Sequence, residues 1–342
     1  MAKIKSTKSI IQFIVLLGIG VLLIWLTLRQ VAPKKNEIIA AFKNANYFWI
    51  LMSMLVALLS HFLRAYRWNY LLQPLGYKTK LLNANCYVLI GYLANYGIPR
   101  MGEISRCTLA TKYDKVPFEV ALGTVITERI VDFILFVLIF VLTLLVEFKE
   151  LSGLANTLIL LPLKEKLSGV GSNPTKLIVL IIIMILFIAL FLFLRKKVIG
   201  LMKGKLGGII KGLGKGIGSI RKMRNPVKFI VLSVLIWLCY FYALYLCFFA
   251  LSGTQNLGQG ACLTLLLFGT FGVILSPGGL GAYPAIVGGI LLTTYHVDDV
   301  WAFALPWLAW TSQLVLILIL GLISFIVLPI YNRKKDGVLP SA

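Results

Sequence analysis

Long apolar stretches alternate along this chain with short segments that carry nearly all of its charge. Runs of about 20 apolar residues have the length an α-helix needs to cross the hydrocarbon core of a bilayer. Six stretches are long enough: 9–28, 47–68, 118–147, 176–194, 228–251 and 300–328. Two further regions, 81–107 and 260–293, are as apolar but interrupted. The first is broken within NYGIPRMGEISR, where Pro99 opens a new helix. The second is broken within SPGGLGAYP, where Pro277, Gly278, Gly279, Gly281 and Pro284 crowd together. Irregular backbone is tolerated at membrane depth only where protein shields it or a wet cavity accepts it. The pattern predicts an all-α polytopic integral membrane protein. It forms one domain over 1–342, with six full transmembrane helices and two re-entrant broken-helix segments. A plain loop between two spans is the alternative for the second break.

Charge sharpens the topology. The net charge is +22, with 59% hydrophobic and 13% charged residues. If each broken segment enters and leaves on one side, the N-terminus, 64–115, 195–228 and the C-terminus lie together. They then hold 25 Lys and Arg against eight on the opposite side. By the positive-inside rule both termini are cytoplasmic, in a multi-pass protein of the cytoplasmic membrane. The region 252–299 has no Lys or Arg, so the second broken segment opens from outside. Two interrupted helices entering from opposite sides are the pattern of an inverted-repeat transporter, although no internal sequence repeat is visible. The basic 195–228 segment keeps Leu206, Ile209, Ile210, Leu213, Ile217 and Ile220 at helical spacing, as an amphipathic loop on anionic cytoplasmic lipid would. Its glycines also suit a solvated loop. The basic residues are spread between apolar runs, which argues against a nucleic-acid partner.

The N-terminal apolar run is too long for a cleaved signal and reads as a retained span. The five cysteines form no CxxC pair and read as small packing residues, so neither a disulfide, a metal nor a cofactor is expected. A homo-oligomer is compatible with the pattern.

Charges inside apolar runs are the candidate chemistry, because an intramembrane charge is expensive and normally has a partner and a function. Arg100, Glu103 and Arg106 recur every three residues and form one helical stripe. Two Arg forks around one Glu suit a phosphate; a salt-bridged helix end is the alternative. In TVITERIVDFILF, Glu128 and Asp132 share a face, and Arg129 is spaced to pair with Asp132. In SHFLRAYRWNY, His61, Arg64 and Arg67 form another stripe. It reads as an interfacial anchor, with Arg side chains reaching to the membrane surface and Trp68 and Tyr70 in the aromatic belt.

Taken in order, NYGIPRMGEISR, ERIVD and SPGGLGA resemble the flippase-like membrane domain of the lysylphosphatidylglycerol synthase/flippase family, in a stand-alone form without the soluble synthase domain. The resemblance covers nearly the whole chain. It implies functional positions at Asn95, Pro99, Arg100, Gly102, Glu103 and Arg106, at Arg129 and Asp132, and at the turn of Pro277, Gly278, Gly279 and Gly281. Many members place a Glu three residues after the last turn glycine, where this chain has Pro284. The resemblance implies movement of a lipid between leaflets, the head group being anionic, aminoacylated, glycosylated or phosphorylated. On this reading Asn95, Arg100, Glu103, Arg106, Glu128, Arg129 and Asp132 bind substrate, while Pro99, Gly102 and the Pro277–Gly281 turn form gates. Membrane lipids are the partners. An enzyme of lipid or cell-envelope metabolism is the rival. Yet His61 and His296 sit in no Ser/Gly/His cluster, and the acids of HVDD read as a helix cap. A non-transporting membrane partner is a third reading, and it would not need the buried charges.

Overall fold

The computed structural model describes residues 17–155 and 223–333, apart from positions 19, 30, 99, 100 and 224. Every regular element among them is helical. We number these α1 (Gly20–Arg29), α2 (Lys35–Lys43), α3 (Tyr47–Leu72), α4 (Leu81–Gly97), α5 (Met101–Asp114), α6 (Phe118–Val146), α7 (Phe148–Ala155), α8 (Pro226–Phe248), α9 (Gln259–Leu275), α10 (Ala282–Thr293) and α11 (Asp299–Arg333). Four are long and apolar enough to cross a membrane: α3 with its 3₁₀ extension to Leu75, α6, α8 and α11. They coincide with the expected spans at 47–68, 118–147, 228–251 and 300–328. The expected span at 176–194 and the basic segment up to position 222 lie outside the described residues.

Local chemistry sets the helix ends. The Asn46 side chain caps α3 by accepting from the Phe48 N–H at 3.2 Å, filling one of the orphan donors of a helix start. Gly76, with φ of 82°, takes the left-handed position that ends the 3₁₀ extension of α3. Pro226 occupies the first turn of α8, where a missing N–H costs nothing.

Both interrupted regions fold as helical hairpins. In the first, α4 and α5 run antiparallel. Tyr87 Oη donates to Asp114 at 2.8 Å near the open end, and a Cβ on Gly102 would strike the Gly91 carbonyl nearer the tip. In the second, α9 and α10 are so close that a Cβ on Gly272 would meet the Tyr283 backbone. Small residues at such crossings let helices approach and gain van der Waals contact where lipid gives no hydrophobic drive.

The hairpins open toward opposite ends of the bundle. Asn83 and Lys80, at the mouth of the first, hydrogen-bond Asn332 near the end of α11. At the mouth of the second, Tyr295 donates to Glu147 just past the other end of α6 at 2.8 Å. The tips meet between them. The Tyr96 ring of the first hairpin packs over the Gly278 backbone of the second, whose carbonyl accepts from Trp310 Nε1 of α11 at 2.8 Å. This is the geometry that two broken segments entering from opposite sides require.

Each hairpin has its own core. Trp68, Tyr87, Cys107, Val125 and Phe229 pack around the first. Phe248, Leu265, Leu291, Leu305 and Val287 pack around the second. The α3 and α8 spans brace the pair, with Ser53 Oγ donating to the Ala243 carbonyl at 2.6 Å.

Candidate functional site

The charged residues of three helices converge beside the first hairpin. Glu128 and Asp132 sit four apart on α6, one turn, so both project toward α3 and α5. Asp132 accepts from Arg67 Nη1 at 2.9 Å and from Arg64 Nη1 at 3.0 Å. Glu128 accepts from Arg106 Nη1 at 2.6 Å and from Arg67 Nη2 at 3.3 Å. Two α8 hydroxyls complete the lattice: Arg67 Nη1 donates to Ser233 Oγ and Arg64 Nη2 to Tyr240 Oη, each at 2.9 Å. The Arg106 guanidinium also lies 3.9 Å from the centre of the Trp68 ring, a cation–π contact. Arg67 and Glu128 side chains are wholly buried. Charges this deep survive only because each is met by several partners.

This differs from the sequence expectation in two ways. The stripe His61, Arg64 and Arg67 is not an interfacial anchor. Its residues are 8%, 4% and 0% exposed, and Trp68 is buried with its Nε1 donating to Thr124. Helix α3 runs on for a turn or more past these residues before it ends at Leu72, so they lie inside the bundle. Nor is Arg129 the main partner of Asp132. Their separation is 3.9 Å, against 2.9 and 3.0 Å to Arg67 and Arg64. Arg129 is next to Glu128 in sequence, so the helix turns it about 100° away.

Around this closed lattice lies a narrow cleft lined by Arg64, Tyr92, Asn95, Glu103, Arg106 and Arg129 among others. Groups here are incompletely paired. Arg106 Nε and Nη2, Arg64 Nε and Glu103 Oε2 are buried without a hydrogen-bond partner. Arg129 reaches Glu103 at 3.6 Å, and its side chain is 46% exposed. Asn95 is engaged with the backbone, its side chain accepting from the Gly102 N–H at 2.7 Å. It thereby binds the end of α4 to the start of α5 across the break. Gly102 is required by the close approach of Gly91 and Asn95. Pro99 and Arg100 lie outside the described residues.

At the second tip, Gly278, Gly279 and Gly281 have φ of 59°, 81° and 71°, a left-handed region costly for other residues. Pro277 begins the 3₁₀ turn, and the Gly281 backbone abuts Gly20 of α1. The second hairpin as described, Gln259–Thr293, brings no charged side chain to the tip. The HVDD acids lie at the mouth of this hairpin. Asp298 caps the Val300 N–H at 2.9 Å, and Lys34 reaches Asp298 at 3.4 Å and Asp299 at 3.1 Å. The Val300 N–H, then Lys34, hold Asp298 below its ordinary pKa, while the hydrogen bond to Asp299 pushes Lys34 up. Among the described residues, no group of three His, Cys, Asp or Glu is placed to hold a metal ion.

Chemically the cleft offers guanidinium donors with spare capacity, beside one carboxylate oxygen with spare capacity. Four Arg and three acids carry formal charges that sum to one net positive. That suits an anion carrying a phosphate.

Comparison with known proteins gives the same family as the motifs. The sequence profile of the lysylphosphatidylglycerol synthase transmembrane region matches residues 10–321. A UPF0104 membrane protein of Methanocaldococcus jannaschii is 31% identical over 139 residues. That alignment spans 40% of this chain and 40% of the relative, less than half of each. No solved structure matches the chain.

Proposed function

Since the chain belongs to the lysylphosphatidylglycerol synthase transmembrane-region family and is a helical, lipid-related membrane protein, we propose that it moves a phosphate-bearing anionic lipid head group between the leaflets of the cytoplasmic membrane. The observation that carries this reading is the net-positive cleft with unpartnered nitrogens on Arg106. Arg64 and Arg67 use both terminal nitrogens and leave only Nε without a partner, whereas Arg106 leaves Nη2 open as well. Here Arg64, Arg67, Glu128 and Asp132 form the structural part, and Arg106, Arg129 and Glu103 meet the ligand. The hairpins, opening to opposite sides and touching at their tips, act as the two gates. Both termini are cytoplasmic on this reading, so the first hairpin and the charged cleft open inward. An enzymatic role has weaker support: the outer acids Asp298 and Asp299 are engaged in a helix cap and with Lys34.

The test is translocation of fluorescent phosphatidylglycerol in proteoliposomes, read as loss of dithionite-protected signal. The reading expects faster loss of protection with the protein than without it, and no gain for an uncharged lipid. Equal rates with and without protein, across anionic lipids of different head groups, would overturn it.

A further inference from the structure

One side of the cleft opens onto an apolar outer surface of the helix bundle. Helix α6 spans 29 residues, and Arg129 lies about 17 Å along it at the usual helical rise. This is far from either end of the helix. Yet the side chain is 46% exposed, and its neighbours on the same surface, Ile130 and Phe133, are exposed apolar residues. Across the seam, α5 presents exposed Ile104 next to Glu103. A half-exposed guanidinium in an apolar surface at this depth is costly unless something polar visits it. At its exposed edge the seam is bridged by the long Arg129–Glu103 pair at 3.6 Å, with Glu103 Oε2 unpartnered, while the short Arg106–Glu128 pair joins the same helices deeper in. Arg106, which lines the same cleft, keeps Nε and Nη2 without a hydrogen-bond partner.

We propose that the α5–α6 seam is a lateral portal through which a phospholipid head group passes from the bilayer into the cleft while its acyl chains stay in lipid. Arg129 is the threshold. The lipid phosphate takes the place of Glu103 on Arg129, the loose ion pair opens, and the phosphate passes inward to the unpaired side of Arg106. Charge complementarity selects a phosphate head group, and the apolar rim of Ile104, Ile130 and Phe133 accommodates the chains. The proposal rests on the lipid-transport reading and adds to it the route.

The experiment uses the full chain reconstituted with trace phosphatidylglycerol carrying a diazirine on its head group. After photolysis, adducts are mapped by mass spectrometry. Ordinary lipids hold their head groups at the surface, so a residue at the depth of Arg129 should meet only acyl chains. Leu238, twelve residues after the start of α8 and exposed, is the control at comparable depth. Adducts are expected several-fold more often at Ile104, Ile130 and Phe133 than at Leu238, and Arg129→Gln should lower them to the control level. Ile104→Trp, a lipid-facing apolar exchange, should slow translocation, whereas Leu238→Trp should not. Even labelling at seam and control overturns the portal. Translocation measured in the same vesicles separates the two ideas: translocation without seam adducts sinks the portal alone, and seam adducts without translocation sink the transport reading alone.

Discussion

The two hairpins share a backbone plan and differ in chemistry. Both are helix pairs broken near a proline and closed by glycine contacts, and their tips touch at Tyr96 and Gly278. The first, however, brings Glu103 and Arg106 into an ion network spanning α3, α5 and α6. The second carries no Lys, Arg, Asp or Glu between Gln259 and Thr293. Its tip is held by one indole hydrogen bond and by close backbone packing. An inverted pair of hairpins therefore needs symmetry only in the backbone. Charge is concentrated in one half, where partners are near, and the other half closes by shape alone.

The largest effect is expected from removing the centre of the charged half. Arg67 links Asp132, Glu128 and Ser233, so Arg67→Met leaves two buried carboxylates short of a partner. A loss of about 3–5 kcal/mol is expected, read as a large fall in unfolding temperature in detergent. An unchanged transition would mean the lattice is not structural.

The corresponding change in the shape-driven half is Gly278→Ala. The left-handed φ and the Tyr96 ring both oppose a Cβ, and strain of about 1–3 kcal/mol is expected. Adding Tyr96→Ala should recover the steric part and leave the backbone part. If the double variant is no better than the single one, the tips do not depend on one another.

Arg106→Gln separates binding from folding. Glu128 keeps Arg67 at 3.3 Å, so the protein should fold with modest loss. Translocation should nevertheless fall by about tenfold or more, a loss of about 1.4 kcal/mol or more in ligand contact. Arg129→Gln should go further in the same sense. Its ion pairs are long, 3.6 and 3.9 Å, so stability should change far less than for Arg67→Met, while transport is lost.

Much of this architecture was legible in the sequence, and the reason is local. Span length, Pro/Gly interruptions and charge sidedness are properties of neighbouring residues, and they located four spans and both hairpins. The partners of the buried acids were not legible. Arg64 and Arg67 have the spacing and position of an interfacial anchor, and only the packing of α3 against α6 shows that they face Asp132. Arg129 drew attention by lying between two acids, but a residue adjacent to Glu128 on a helix necessarily turns off its face. The usable signal was charge balance: two acids on one face of α6 needed cations, and the stripe on α3 was the nearest supply from another span.

The smallest effect belongs to the mouth of the second hairpin, where charge meets water. Lys34 ties the segment before α2 to Asp298 and Asp299 at the start of α11. Asp298 is held below its ordinary value first by the Val300 N–H and then by Lys34. A carboxylate whose folded pKa is depressed adds stability above its unfolded pKa, about 3.9 for Asp, and loses that contribution as pH falls through the folded value. The tether should therefore be intact at neutral pH and weaken only below about pH 4. Because these side chains are a third to a half exposed, water screens the pair and the change should be slight. Asp298→Asn keeps an acceptor for the Val300 N–H but removes the charge. It should flatten the acid limb of the unfolding temperature measured against pH and leave the neutral plateau nearly unchanged. If the wild-type limb instead extended to pH 6, a group other than this tether would control it. Should Asp298→Asn lower the neutral plateau by as much as Gly278→Ala does, the second hairpin would depend on charge after all, and its contrast with the first would fail.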